Sequence, residues 1–226
     1  NGSYTLSVYG NFINAGTFTC STGKVSFSGS SAQTITGVLT FYDLTINNTA
    51  GVTCANNITV NGVLYLQSDN PSAFKGTLDM GVNTLNMGIN STTIGIGDVT
   101  GIINRTHVFS LNKFYSFGNE NSGPIFSDVS NQILPTSVSL KVSLGNAPDW
   151  TGAIGVIPTS PITRIYDVIQ TGGQGTSILM RVHYKDSEIP EGVNESKLTL
   201  WNRKKIGAQF YTREAGKSNQ DNHTRY

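Results

Sequence analysis

The sequence predicts an all-β protein: a β-solenoid-like module (a parallel β-helix) over residues 1–103, followed by an Ig-like antiparallel β-sandwich over 104–226. Three observations predict it. Apolar residues alternate with Ser, Thr and Asn at period two, punctuated by Gly and Asn, which is the signature of short strands. The amino-terminal half is loosely self-similar at about 20–35 residues, as stacked β-rungs are. Charge is also unevenly placed: residues 1–100 hold only Lys24, Lys75, Asp43, Asp69, Asp79 and Asp98 of the chain's 15 Lys/Arg and 14 Asp/Glu.

The elements follow in order. Tyr4, Leu6 and Val8 alternate with Ser3, Thr5 and Ser7. Val25 and Phe27 come next, then Tyr42, Leu44 and Ile46, then Ile58 and Val60, then Leu64 and Leu66. β-branched and aromatic residues supply the strand propensity. Gly16-Thr-Phe-Thr-Cys20, Gly51-Val-Thr-Cys54 and Gly76-Thr-Leu-Asp-Met80 each read as a strand opening after a turn. Asn61–Leu66 reads as a counterpart of Gly81–Met87. An ordinary sandwich with coincidental glycine spacing is the alternative. Beyond residue 103, Val138, Leu140, Val142 and Leu144 form a strand with one wet face. Ile162–Ile169, then Ile178, Met180, Val182 and Tyr184, then Leu198 and Leu200 after the Gly192-Val-Asn194 turn, continue as sandwich strands.

Composition narrows the function. Only 13% of the 226 residues are charged, about half the usual share, and Ser, Thr and Asn fill about a third of the chain. Stacked rungs place equivalent positions about 4.8 Å apart, where like charges repel and hydroxyls and amides can form ladders. A net charge of +1 argues against nucleic acid, whose binders need a basic face. No apolar run approaches the length of a membrane span, and no cofactor motif is present.

Several segments together resemble large bacterial repeat-rich cell-surface adhesin-like proteins, often exported by the type IX route and built from β-solenoid and sandwich modules. They are Val25–Gly37, Phe41–Asn48, Asn56–Gly62, Gly76-Thr-Leu-Asp-Met-Gly81, Asn104-Arg-Thr-His107, Tyr115–Asn119, Arg164-Ile-Tyr-Asp167, His183–Glu188 and Asn194–Leu198. The resemblance covers most of the chain in short motifs. It implies an extracellular, structural or adhesive role without catalysis. The family's carboxy-terminal sorting module is expected to be missing, the sequence stopping at His223-Thr-Arg-Tyr226. A sandwich without its last strand would leave an open edge, which the strand of Tyr4, Leu6 and Val8 from a neighbour could fill by donor-strand complementation, building a homopolymer. The plain alternative is that Tyr226 only marks where the given region ends.

Individual residues add weaker signals. Cys20 and Cys54 are the only cysteines; a disulfide suits an oxidising setting, and two buried free thiols are the alternative. Asn-X-Ser/Thr sequons occur at Asn1, Asn47, Asn57, Asn90, Asn104, Asn194 and Asn222, close to the number chance gives, and Asn47, Asn57, Asn90, Asn104 and Asn194 are the glycosylation candidates. Asp186, Glu188, Glu191 and Glu195 form an acidic cluster without a calcium-loop pattern, so a solvated turn is the simpler reading. Arg203-Lys204-Lys205 likewise reads as a wet turn. Three scattered histidines make no zinc site. Trp150, Trp201, Tyr211 and Tyr226 could stack on sugars, although Trp201 beside Leu200 reads as core. A polysaccharide-cleaving β-helix needs paired carboxylates; Asp43 and Asp79 are isolated in sequence. The expectation is therefore a fibre or filament subunit at the cell surface, with glycans attached or bound, no metal and no enzyme. A monomeric carbohydrate-binding adhesin module is the second reading.

Overall fold

A computed structural model of the chain describes residues 4–18, 20–66, 76–145, 154–155, 162–195, 198, 200–206 and 209–214. The protein is all-β, and its amino-terminal part is a β-solenoid of about 5 turns. The first turn carries β1 (Thr5–Val8) and β2 (Phe12–Ile13), and the second β3 (Lys24–Phe27), β4 (Gln33–Thr36) and β5 (Leu39–Phe41). The third carries β6 (Asp43–Ile46), β7 (Val52–Cys54) and β8 (Ile58–Val60). The fourth holds β9 (Val63–Tyr65) and the long β10 (Thr77–Met87), the fifth β11 (Thr92–Ile94) and β12 (Asp98–Thr106).

Pairing between turns is parallel, and it builds three faces. The first is the five-stranded sheet β1-β3-β6-β9-β11. The second runs β2-β4-β7-β10-β12. The third joins β5 and β8 to the carboxy-terminal part of β10, and on to that of β12 after a register shift between Asp79 and Thr84. Leu6, Val25, Leu44 and Leu64 stand in register, 19, 19 and 20 positions apart. These turns therefore repeat about every 20 residues, and the next step of the column, Leu64 to Thr93, spans 29, so the spacing falls within the self-similarity read from the sequence.

Burial follows the register. Leu39, Ile58, Leu85 and Ile103 form one inward column, and Gln33, Val52, Leu78 and Val99 another. Gln33 is the polar member, and its amide is fully used. Nε2 donates to the Val8 and Gly10 carbonyls, and Oε1 accepts from Gly29 N–H and the Asn48 amide. A buried amide is tolerable on those terms. Outward columns are hydroxyls and amides, such as Thr40, Thr59, Asn86 and Asn104.

Two sequence equivalences shift. Gly51–Cys54 and Gly76–Met80 do stack, Val52 on Leu78. After Gly16, however, the described Thr17, Phe18 and Cys20 lie in no strand, and Phe18 packs against Phe12 and Phe41 at the coil's first end. Asn61–Leu66 and Gly81–Met87 lie on different sheets, and the true partner of Leu85–Met87 is Ile58–Val60.

Beyond the coil come β13 (Gly123–Ser127), β14 (Ile133–Leu144), β15 (Ile154–Gly155), β16 (Arg164–Gln174), β17 (Ser177–Arg181), a 3-10 turn (Asp186–Glu188), β18 (Trp201–Ile206) and β19 (Gln209–Glu214). The strand containing Val138, Leu140 and Val142 was expected in a separate sandwich; it instead pairs antiparallel with β12, Leu140 facing Ile103, and extends the solenoid sheet. β16 lies next to β14. β13 pairs with β17. The chain forms two compact units, Asn1–Ser143 with Tyr166–His183, and Leu144–Ile165 with Tyr184–Tyr226. Within the second, β15, β19 and β18 form a three-stranded sheet, and Glu188 grips Arg164 through both carboxylate oxygens at 2.6 and 2.8 Å.

The fifth turn ends on a charge. Met87 lies 3.8 Å from a guanidinium nitrogen of Arg105, which is only 1% exposed and sits where the apolar column would continue. That guanidinium donates to the carbonyls of Gly88, Ser91 and Ser116. It also lies near the Phe117 ring, 5.5 Å from its centroid. Burial lowers its pKa to about 10, which leaves it charged at neutral pH. The cap segment reaches the coil closely: Gly118, at φ +68, has no room for a Cβ, which would stand 2.7 Å from Val99.

Arg105→Ala is expected to cost about 3–5 kcal/mol, through three orphaned carbonyls and a cavity. Val38→Ala, at an 81% exposed position, should change stability by less than about 0.5 kcal/mol. Urea unfolding of both variants measures the contrast, and equal losses would remove Arg105 from its capping role.

Candidate functional site

The two ends of the first face differ chemically. β11, its last strand, has its outward N–H groups occupied by side chains of the cap. Thr93 N–H donates to Ser116 Oγ at 2.9 Å, and Gly95 N–H to Glu120 Oε2 at 2.8 Å. That edge offers little to a further strand. At the other end, β1 pairs only with β3 and β2 only with β4 among the described residues. Tyr4 is 79% exposed, Tyr9 73% and Ile13 74%. Leu6 is half exposed although its column is otherwise core, while Val8 packs against the core. The residues expected to form an assembly strand, Tyr4, Leu6 and Val8, thus lie on or beside the outermost described strand of this face, next to exposed apolar side chains.

The cysteines are not joined; both are free thiols. Cys54 points into the core in register with Ile35, 3% exposed. Cys20 lies at a corner of the coil, its sulfur accepting from Tyr42 N–H and facing the Thr40 carbonyl. The expected disulfide does not form because the side chains serve different places in the turn. Burial, then the Asp79 charge, pushes the Cys54 thiol up to about 12.

The sequons fall in unlike settings. Asn90 is exposed on the turn before β11, and Asn194 is exposed. Asn57 is exposed and accepts from Thr84 N–H; Asn47 is half-buried after β6. Asn104 is half-buried in β12 and already serves Asn86, Ser137 and Ser139. Asn1 and Asn222 lie outside the described residues, as do Trp150 and Tyr226 and the side chains of Trp201, Tyr211 and Arg203-Lys204-Lys205.

The carboxylates do not converge. Asp43, on the first face, accepts from Val63 N–H; Asp79, on the second, accepts from Gly81 N–H and the Thr100 hydroxyl. In the acidic cluster, Glu188 is committed to Arg164, Glu195 accepts from the Tyr184 hydroxyl, and Glu191 is exposed. No group of three or more metal-ligating side chains gathers among the described residues, and no helix is long and apolar enough to cross a membrane.

Sequence reasoning missed the cap cluster. His107 stacks at 4.4 Å on Phe109 and 5.3 Å on Tyr115. Its Nδ1 meets the Val108 carbonyl, and its Nε2 is buried without a partner. Burial above all, with the nearby charges of Arg105 and Lys113, holds the imidazole below its ordinary value, against the hydrogen bond to Val108. The available signal was the break in β12, where Arg105 follows Val99 and Ile103 at an inward position. No family model, no curated protein and no solved structure matches this chain significantly.

Two measurements test this chemistry. Iodoacetamide at mildly alkaline pH should label Cys20 in the folded protein and spare Cys54 until urea is added. A Cys20–Cys54 crosslinked peptide in a non-reducing digest would overturn that. The folded His107 takes up its proton at lower pH than the unfolded imidazole, which protonates near pH ~6.5. As pH falls through that value the unfolded state binds the extra proton, so wild type loses stability, levelling off only below the depressed folded pKa. Relative to a His107→Phe variant, wild type should therefore be less stable at acidic pH than at neutral pH. A stability gap that does not move with pH contradicts the assignment.

Proposed function

We propose that this protein is an extracellular structural or adhesive component of a bacterial surface, assembling through the open edge of its solenoid and carrying out no bond-making chemistry. The observation that carries the reading is the difference between the ends of the first face. One edge is occupied by Ser116 and Glu120; at the other, β1 and β2 are the outermost strands among the described residues, beside exposed Tyr4, Tyr9 and Ile13. An uncovered apolar edge is a template for another strand. A second copy of this chain is the partner proposed, forming a fibre if the contact does not close. The near-neutral, hydroxyl-rich outer columns suit a surface that meets water and glycans. Glycans on the exposed Asn57 and Asn194 belong to the same proposal.

A Tyr4→Lys/Ile13→Lys variant tests it, since both positions are exposed and the coil should fold unchanged. Wild type should show concentration-dependent assembly by sedimentation and negative-stain microscopy, and the variant should stay monomeric. Monomeric wild type at high concentration, or undiminished assembly of the folded variant, would sink the idea.

A further inference from the structure

A second feature lies at the capped end. The turn before β11 and the cap segment around Phe114 enclose a cleft of about 230 Å³. That is below the ~300 Å³ at which drug-sized pockets begin, and suits one small ring. Its walls offer a half-buried Phe114 ring, the exposed Asn90 amide and the Lys113 ammonium, which stands 5.1 Å over the Tyr115 ring. Glu120 anchors one carboxylate oxygen on Gly95 N–H, which fixes the side chain and leaves Oε1 as an acceptor. Thr93 also lines the cleft. It is 5% exposed and stands in register with the buried Leu64, so it closes the floor of the cleft from the core side.

We propose that this cleft is a saccharide subsite taking one neutral pyranose ring of a glycan. A sugar ring presents an apolar C–H face and vicinal hydroxyls that both donate and accept. Phe114 offers the flat apolar wall; Glu120 accepts, Lys113 donates and Asn90 does both. With one cation and one anion in its walls, the cleft favours a neutral ring over a uronate. The site is pre-organised from behind, because Arg105 clamps the carbonyls of Ser91 and Ser116 beside it. It is independent of the solenoid's open edge.

Saturation-transfer NMR with methyl glycosides of glucose, galactose, mannose and N-acetylglucosamine, followed by titration, provides the test. At least one sugar should bind in the millimolar range. Glu120→Gln keeps an oxygen for Gly95 N–H and should weaken binding about tenfold, as loss of a charge-assisted hydrogen bond does. The Tyr4→Lys/Ile13→Lys variant should bind as wild type does, so failure of assembly and failure of this site are read separately. No transfer to any of these sugars at tens of millimolar, or binding indifferent to Glu120→Gln in folded protein, overturns the proposal.

Discussion

In-register parallel stacking is the constraint from which the rest of the solenoid follows. Once Leu6, Val25, Leu44 and Leu64 occupy one column, each side chain meets its own counterpart about 4.8 Å above and below. An inward column then has to be apolar along its length, because a single polar group would face apolar neighbours on two sides. Gln33 survives only because two carbonyls, one N–H and the Asn48 amide complete its bonding. The same rule applied outward favours Thr, Ser and Asn, which can stand beside copies of themselves.

A stack has ends, and there the constraint changes sign: each further turn that is absent leaves apolar surface and backbone groups uncovered. The last turn meets this with a buried charge. A guanidinium carries five donors in a fixed fork, and Arg105 spends them on carbonyls of Gly88, Ser91 and Ser116, tying the final corner to the cap. Methionine there would extend the Met87 column and leave those carbonyls without a donor. Ser116 and Glu120 finish the work on the β11 edge. The first turn has Phe18 folded over Phe41 on one face and nothing comparable on β1 or β2 among the described residues.

How much of this could be read from the chain depends on which property carries the signal. Period two and the charge-poor first half are collective, so the all-β, solenoid-like reading needed no single residue to be right. Register is a pairwise property, and the sequence mislaid it. Gly16–Cys20 looks like Gly51–Cys54 because turns reuse the same residues, yet among the described residues only the latter becomes a strand. Asn61–Leu66 resembles Gly81–Met87 because every face of the coil obeys the same alternation. The strand around Leu140 alternates as a sandwich strand would; its pairing with β12 is a long-range choice that alternation does not encode. Arg105 was visible only as an apolar position filled by a cation.

The charges the coil does keep show why so few are present. Lys24 and Asp43 are register neighbours on adjacent turns, opposite in sign. The Lys24 ammonium lies 4.2 Å over the Tyr65 ring, and Asp43 accepts from Val63 N–H. Asp79 stands between Thr53 and Thr100, and takes a hydrogen bond from the Thr100 hydroxyl. In each case the adjacent turn supplies an opposite charge or a hydroxyl, and no like charge. A charge added at random to an outward column would meet such company only by chance, whereas a hydroxyl or amide needs none. Low charge in residues 1–100 is thus a consequence of repetition itself, and Lys24, Asp43 and Asp79 are charges that neighbours on adjacent turns accept.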